Sequence, residues 1–406
     1  MTSNSYTGAM APVRRVIHLW GWPPSPFDIE RYGLKTIQAR GLAAEGFDLS
    51  PLVNPAAVPP ALSPEDASFV RRIRSHAELD QALADTSPDS AYVDGLIGIG
   101  NLDLKNERVF RLLRRHQCRL MLVAAGALPV MAADLKPATR LARRLRQVAD
   151  PNTLGRFAAT RLISALKKST SLYPRPALLF GGQSEAVAAY ARRLAMPPES
   201  VVAIHSLDYD RYLDYRRTHP SPPAPQKTCV FLDEAATHHP DFAILGERPL
   251  DEEPYFREMR AFFDAIEAAT GLKVVIAAHP RSDYGSRPGA FGDRAIVKDR
   301  TLDLVAESSL VVAHATTSVA FAVLFQKPVR FLLTSQMERT RVEEGSRGIG
   351  RALGVIPVTL PELTAGYDWN SISEDAYESY RYRYIQSRGV PDKTVWEIVA
   401  DRAQAL

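Results

Sequence analysis

The sequence predicts an α/β protein of two Rossmann-like, doubly wound domains, on three observations. The chain has 406 residues, more than one ordinary hydrophobic core organises. Short apolar runs alternate with helical stretches in each half, as expected of parallel sheets covered on both faces. Between the halves, residues 219–226 (HPSPPAPQ) carry four prolines in eight positions. That composition favours extended polyproline geometry and excludes a helix interior or a sheet centre. The expected organisation is therefore an N-terminal domain over 1–222, a C-terminal domain over 227–372 and a helical segment over 373–406 whose end is expected to return to the first domain.

In the first half, residues 13–20 (VRRVIHLW) read as a strand closed by a Pro-rich turn at 21–26. Residues 91–99 and 118–124 read as two more strands, ending in glycine-containing loops at Gly98, Gly100 and Gly126. Residues 177–180 run into Gly181, Gly182 and Gln183, with a helix over 184–194 and a short strand over 201–205. After the linker the alternation restarts. Strands are expected over 228–232, 273–278, 295–298, 310–314 and 329–333, and helices over 254–270, 302–307 and 318–325.

Composition narrows the class. Hydrophobic residues make up 46% and charged residues 24%, the balance of a soluble globular protein and not of a disordered or membrane one. The formal charge of +4 gives no global electrostatic case for a nucleic-acid partner. Cys118 and Cys229 lie in separate apolar runs, which suits neither a disulfide framework nor a metal pair and fits a reducing compartment. The N-terminal MTSNSYTGAMAPVRR has no apolar stretch ahead of its charges, and no segment approaches the run of about 20 apolar residues a spanning helix needs. The expectation is a cytoplasmic protein.

The richest stretch is 273–333. One strand, KVVIAA, ends at His279-Pro280-Arg281; another, SLVVA, ends at His314-Ala315-Thr316-Thr317-Ser318 and opens into a helix. In an open parallel sheet ligands bind beyond the carboxyl ends of the strands, so both motifs are expected at one crevice. Thr316, Thr317 and Ser318 at a helix start would offer backbone N–H groups and hydroxyls to a phosphate. His279 would donate to the same phosphate and stabilise a departing nucleotide. The plain alternatives are a helix cap and a histidine–proline turn.

The run AAHPRSDY … LDLVAESSLVVAHATTSVAFAVLFQKPV resembles the donor half of bacterial GT-B glycosyltransferases that use cytidine nucleotides, the sialyltransferases and Kdo transferases. Those families carry an HP motif followed by a Ser/Thr-rich motif opening a helix. The resemblance spans roughly 228–333 and implies a GT-B fold, two Rossmann-like domains facing a cleft. It also implies that His279, Pro280, Arg281, His314, Thr316, Thr317 and Ser318 surround a CMP-linked sugar. The CDP-glycerol phosphotransferases of teichoic acid synthesis carry a comparable pair of motifs, but this chain has His314-Ala315-Thr316-Thr317 where they have an aspartate. Both families imply a cytidine nucleotide.

Asp233 and Glu234, at the end of strand 228–232, form an acidic pair. A carboxylate there would accept the proton of an acceptor hydroxyl. The same pair could instead shape the donor pocket, bind the ribose or cap the next loop, and the sialyltransferases keep their acidic pair in the other domain. Asp208 and Asp210 are rival bases, and Asp208-Tyr209-Asp210 is the one tempting metal motif. Adjacent His238 and His239 lack the carboxylate spacing of a zinc site. No metal and no cofactor are expected.

In the first half, His18-Leu19-Trp20-Gly21-Trp22 ends a strand where an acceptor sugar would stack on tryptophan, unless both rings are core. Asp94 and Asp103 flank a glycine loop that lacks the third glycine of a dinucleotide fingerprint. Gly181 to Ser184 leads into a helix and offers a phosphate or an acceptor oxygen a place. Residues 136–168 hold nine basic residues and one acid with interleaved apolar ones, either a solvated helix face or a peripheral membrane contact. The expected partners are a nucleotide-sugar donor and a glycan or lipid-linked glycan acceptor, for transfer of an acidic sugar of the Kdo or nonulosonic type. A non-catalytic binding protein on the same fold is the alternative of a different class.

Overall fold

The computed structural model describes residues 11–96, 106–126, 129, 174–221, 223–238, 248–364 and 366–406. The glycine loop with Gly98, Gly100 and Asp103, the basic segment 136–168 and His239 lie outside these residues. The chain divides into two compact units, one of residues up to 125 with 174–207 and 390–406, the other of 208–389.

The first unit holds a seven-stranded parallel sheet in the order β3-β2-β1-β4-β5-β6-β7. Its strands are β1 (Arg15–Trp20), β2 (Ala43–Asp48), β3 (Val70–Arg72), β4 (Ser90–Gly95), β5 (Arg119–Ala124), β6 (Leu178–Gly181) and β7 (Val201–Ala203). The second unit holds a six-stranded parallel sheet, β10-β9-β8-β11-β12-β13. These strands are β8 (Thr228–Leu232), β9 (Lys273–Ala278), β10 (Ile296–Lys298), β11 (Leu310–Ala313), β12 (Val329–Leu333) and β13 (Val358–Thr359). Each sheet grows outward in both directions from its first strand, so the order reverses between β1 and β4 and again between β8 and β11. These are topological switch points, where a parallel α/β sheet opens a crevice at its carboxyl edge.

Both faces of each sheet are covered. On β8, Val230 and Leu232 enter one core with Val311, Ala313, Phe331 and Phe321, while Cys229 and Phe231 enter another with Phe262, Phe263, Ile276 and Phe291. Alternate residues of one strand therefore serve opposite cores, which is why it reads as a continuous apolar run. The helix Glu252–Thr270 buries Tyr255, Phe256, Met259, Phe262, Phe263 and Ile266, an apolar stripe of helical period. Each of these side chains stabilises the unit by about 1.5–3 kcal/mol through burial.

The boundary between the units differs from expectation, while the end of the last segment returns to the first unit as expected. The units divide at Leu207/Asp208, ahead of the Pro-rich stretch, because the helix Leu207–Thr218 packs Tyr209 and Tyr212 into the second core. The segment 373–406 is also split. Helix Glu374–Tyr380 belongs to the second unit, whereas helix Val395–Gln404, started by a Thr394/Glu397 capping box, returns to the first. There Trp396 Nε1 donates to the Arg31 carbonyl at 2.7 Å, and Val395, Val399 and Ala403 are buried. Among the described residues no helix is long and apolar enough to cross a membrane.

Candidate functional site

The register of the second sheet assembles the candidate site. Leu232 lies opposite Ala277 on one side and Ala313 on the other. The residues that follow, Asp233-Glu234, His279-Pro280 and His314-Ala315, therefore leave the carboxyl edge side by side, around the switch point between β8 and β11.

Asp233 continues the pairing, its N–H donating to the Ala277 carbonyl at 3.1 Å. Its side chain is buried at 5% exposure and is heavily engaged. Oδ1 accepts from the Ala235 N–H at 3.0 Å, Oδ2 from the His279 N–H at 3.1 Å, and the Tyr284 hydroxyl also bonds the carboxylate. Burial raises its pKa above the ordinary carboxylate value, with the N–H groups of His279 and Ala235 and the Tyr284 hydroxyl opposing that rise. Glu234 is placed differently. The residue as a whole keeps some exposure, but Oε1 is buried and has no hydrogen-bond partner among the described residues. Burial, with the Asp233 charge beside it, pushes its pKa up to about 8.

His279 is half-buried at the end of β9. The Arg281 N–H donates to Nδ1 at 3.1 Å, so the neutral imidazole carries its proton on Nε2. The His279 carbonyl accepts from the Ser282 N–H at 2.9 Å and its hydroxyl at 2.7 Å. Pro280 and Arg281 form the turn between these anchors, Arg281 exposed.

Thr316, Thr317 and Ser318 are half-buried. The Ser318 N–H donates to Thr316 Oγ1 at 3.2 Å, while the Thr317 and Ser318 carbonyls start the turn into helix Val319–Leu324. Ser318 makes no side-chain cap bond to that helix. The Thr316 hydroxyl thus organises the loop, and the Ser318 hydroxyl does not cap the helix. Gly345, in helix Arg341–Leu353, lies against this loop: a Cβ there would sit 2.6 Å from Ala315 Cβ.

His314 departs from the expected set. It is fully buried, Nδ1 bonding the Leu332 carbonyl at 2.7 Å and Nε2 facing the Tyr255 hydroxyl at 3.1 Å, with Phe231 and Tyr255 rings packed around it. Burial lowers its pKa to about 4. It is a neutral bridge between β11, β12 and helix Glu252–Thr270, and both nitrogens are spent on protein partners.

The first unit corrects a second expectation. Trp20 is fully buried, in the core with Tyr32 and Trp396, and does not offer a stacking face; Trp22 is half-buried beside Tyr32. His18 is buried among the same rings and its pKa falls to about 3. Asp94 accepts the Leu96 N–H, and Ser184 caps helix Glu185–Arg193. Asp210 is buried in helix Leu207–Thr218 and Asp208 is half-buried there. His238 bonds Thr237 Oγ1 through Nδ1 at 2.8 Å. Among the described residues no group of three or more His, Cys, Asp or Glu is arranged to hold a metal ion. Sequence reasoning missed Tyr284 and Tyr255. The first stands in the HPRSDY run itself and carried a signal, while the second is one aromatic in an apolar helical stripe and carried none.

Two Rossmann-like units with strand order 3-2-1-4-5-6 in their sheets define the GT-B class of α/β fold. The same fold occurs in the wall teichoic acid polymerase TagF. A histidine-to-asparagine variant of that protein soaked with CDPG matches with 13% identity and a TM-score of 0.53, over 97% of this chain and 88% of that one. The same variant without the soak gives 12% identity and a TM-score of 0.51, over 97% and 88%, and a histidine-to-alanine variant 14% and 0.50, over 97% and 89%. No protein-family profile matches the chain, and no curated protein sequence matches it.

Proposed function

We propose that the protein is a glycosyltransferase that moves an acidic sugar of the Kdo or nonulosonic type from a CMP-linked donor onto a surface polysaccharide or lipid-linked glycan, in the cytoplasm and without a metal ion. The observation that carries the reading is Glu234, one carboxyl oxygen of which is buried without a partner among the described residues, next to Asp233, which bonds the His279 loop at the same switch point. Glu234 takes the proton of the acceptor hydroxyl. His279, through the Nε2 proton that its Nδ1 bond enforces, stabilises charge on the leaving phosphate. The Thr316–Ser318 loop supplies hydroxyl and amide donors to that phosphate, with Pro280 and Arg281 bordering it. An acidic leaving group with a single phosphate is served by these donors without a divalent ion, and turnover is expected to persist in excess EDTA.

A CDP-glycerol-type phosphotransferase is the second reading, favoured by the fold shared with TagF. Both readings use a cytidine nucleotide, so isothermal titration with CMP, UMP and GMP tests their common ground. Tighter UMP or GMP binding refutes it. Acceptor-dependent release of CMP from a CMP-linked acidic sugar, compared with release from CDP-glycerol, separates them. His279→Ala is expected to lower kcat by about 10²–10³-fold, the scale of removing one donor to developing charge.

A further inference from the structure

Two adjacent acids stand at the end of β8, and the structure gives them unlike surroundings. A carboxylate has about four lone-pair positions. Three of those of Asp233 are directed at donors that belong to the fold: the Ala235 N–H, the His279 N–H and the Tyr284 hydroxyl. None of the three can leave without exposing a buried polar group, and the side chain is nearly inaccessible. A base must instead turn a lone pair toward the acceptor.

What Asp233 does hold is the loop that carries the imidazole. Its main chain bonds β9 at Ala277, and its side chain bonds the next loop residue, His279. Beyond that, the Arg281 N–H on Nδ1 and the two Ser282 bonds to the His279 carbonyl close the turn. The direction of the ring therefore follows from a chain of contacts that begins at the Asp233 carboxylate. Tyr284, five residues on, is held back to Asp233 and packs its ring against Phe256, Phe291 and His238.

We propose that Asp233 is a positioning residue, which fixes the His279 imidazole for the phosphate through its bonds to the His279 N–H and the Tyr284 hydroxyl, and that it does not take the acceptor proton. This rests on the reading of His279 as a phosphate contact. In Asp233→Asn an amide offers one acceptor oxygen to two backbone N–H donors, so the bonds to Ala235 and His279 cannot both be kept.

The test uses the full chain, CMP titration and ¹⁵N spectra of the histidine rings, with the His279 signals assigned by their loss in His279→Ala. Asp233→Asn is expected to weaken CMP binding roughly tenfold, the size of one charge-assisted hydrogen bond. It should also shift the Nδ1 and Nε2 signals of His279. Combined with His279→Ala it should add nothing further to the loss of affinity. Tyr284→Phe, which deletes only a hydroxyl, should produce the same pattern at smaller amplitude and covers the case in which Asp233→Asn does not fold. Wild-type His279 signals and CMP affinity in both variants, with turnover lost in Asp233→Asn, would overturn the proposal and return Asp233 to the role of base. If His279→Ala binds CMP like the wild type, the functional reading of His279 fails. The ring signals in Asp233→Asn then still decide whether Asp233 positions the imidazole.

Discussion

Replacing His314 by phenylalanine separates a structural histidine from a ligand contact. The substitution keeps a ring of similar shape but removes both nitrogens, leaving the Leu332 carbonyl and the Tyr255 hydroxyl buried without partners. An orphaned buried polar group costs about 1–3 kcal/mol, so the pair predicts a loss of about 2–6 kcal/mol at pH 7. In a unit of this size that lowers the melting temperature by roughly 4–24 °C. The pH dependence carries a second signature. His314 titrates at about 4 in the folded chain against 6.5 when free, so the folded state resists protonation. Its contribution is complete above pH 6.5 and is lost as pH falls through 4. The loss approaches about 3 kcal/mol for a shift of that size. The phenylalanine variant has no such loss, so its deficit against the wild type should shrink steadily between pH 7 and pH 4. Thermal unfolding of both proteins across that range, with CMP titration at pH 7, measures everything needed. Normal stability with lost CMP affinity would refute the structural assignment and restore His314 to the phosphate site.

Three further perturbations probe other contacts. Glu234→Gln should lower turnover by about 10²–10⁴-fold and abolish a rate that, in the wild type, rises with pH through about 8. Because the folded-state pKa of Glu234 is raised, ionisation destabilises the fold as pH rises toward and through 8, so the glutamine variant should melt higher than the wild type at pH 9; a lower melting point contradicts this. Gly345→Ala puts a methyl 2.6 Å from Ala315 Cβ, and the strain should exceed the helix-propensity gain by about 1–2 kcal/mol, read by urea unfolding. An increase in stability would show that the Ala315 loop yields freely. Trp396→Ala should cost about 3–5 kcal/mol in the first unit, from a fully packed ring and its bond to the Arg31 carbonyl, read as a loss in the unfolding transition to which His18 and Trp20 report.

The central strands of the second sheet are legible because buried parallel strands are unbroken apolar runs. Residues 228–232, 273–278 and 329–333 coincide with β8, β9 and β12. The first sheet hid two strands. β2 (AAEGFD) contains a glutamate and a glycine, and Gly46 is there because a Cβ would lie 2.0 Å from the Trp20 ring. That requirement belongs to the neighbouring strand and leaves no periodic trace in β2. β3 has three residues and β13 two, too few for any pattern. The Pro-rich stretch drew the expected boundary past helix Leu207–Thr218, whose polar sequence conceals the tyrosines that commit it to the second core. At the site, the strand-end rule located Asp233, Glu234, His279 and the Thr316 loop. It could not separate His279 from His314, since both are histidines closing an apolar strand. The difference lies in Tyr255 and Leu332, from distant elements that converge on one imidazole and not on the other.

The same logic separates the two acids, and it indicates where the second unit departs from its own rules. Several buried polar side chains here are well employed, whereas Thr334 Oγ1, like Glu234 Oε1, is buried without a partner among the described residues. Arg330 donates to the carbonyls of Asp368, Val329 and Ser371, His314 bridges two elements, and Asp233 ties β8 to the loop after β9. A fold selected for stability alone would treat the next residue likewise, or replace it with an apolar one, because an uncompensated buried carboxyl is costly. Glu234 instead keeps an oxygen without a partner, beside another carboxylate that raises the cost of its charge. Successive side chains of an extended segment diverge, so one acid can be absorbed by the scaffold while its neighbour is left poised. Unlike Thr334, Glu234 breaks the rule in the segment that leaves β8 at the switch point, where a parallel sheet takes its ligands. Under the proposed function, its missing partner is the acceptor hydroxyl, and the Glu234→Gln turnover and pH profile test it.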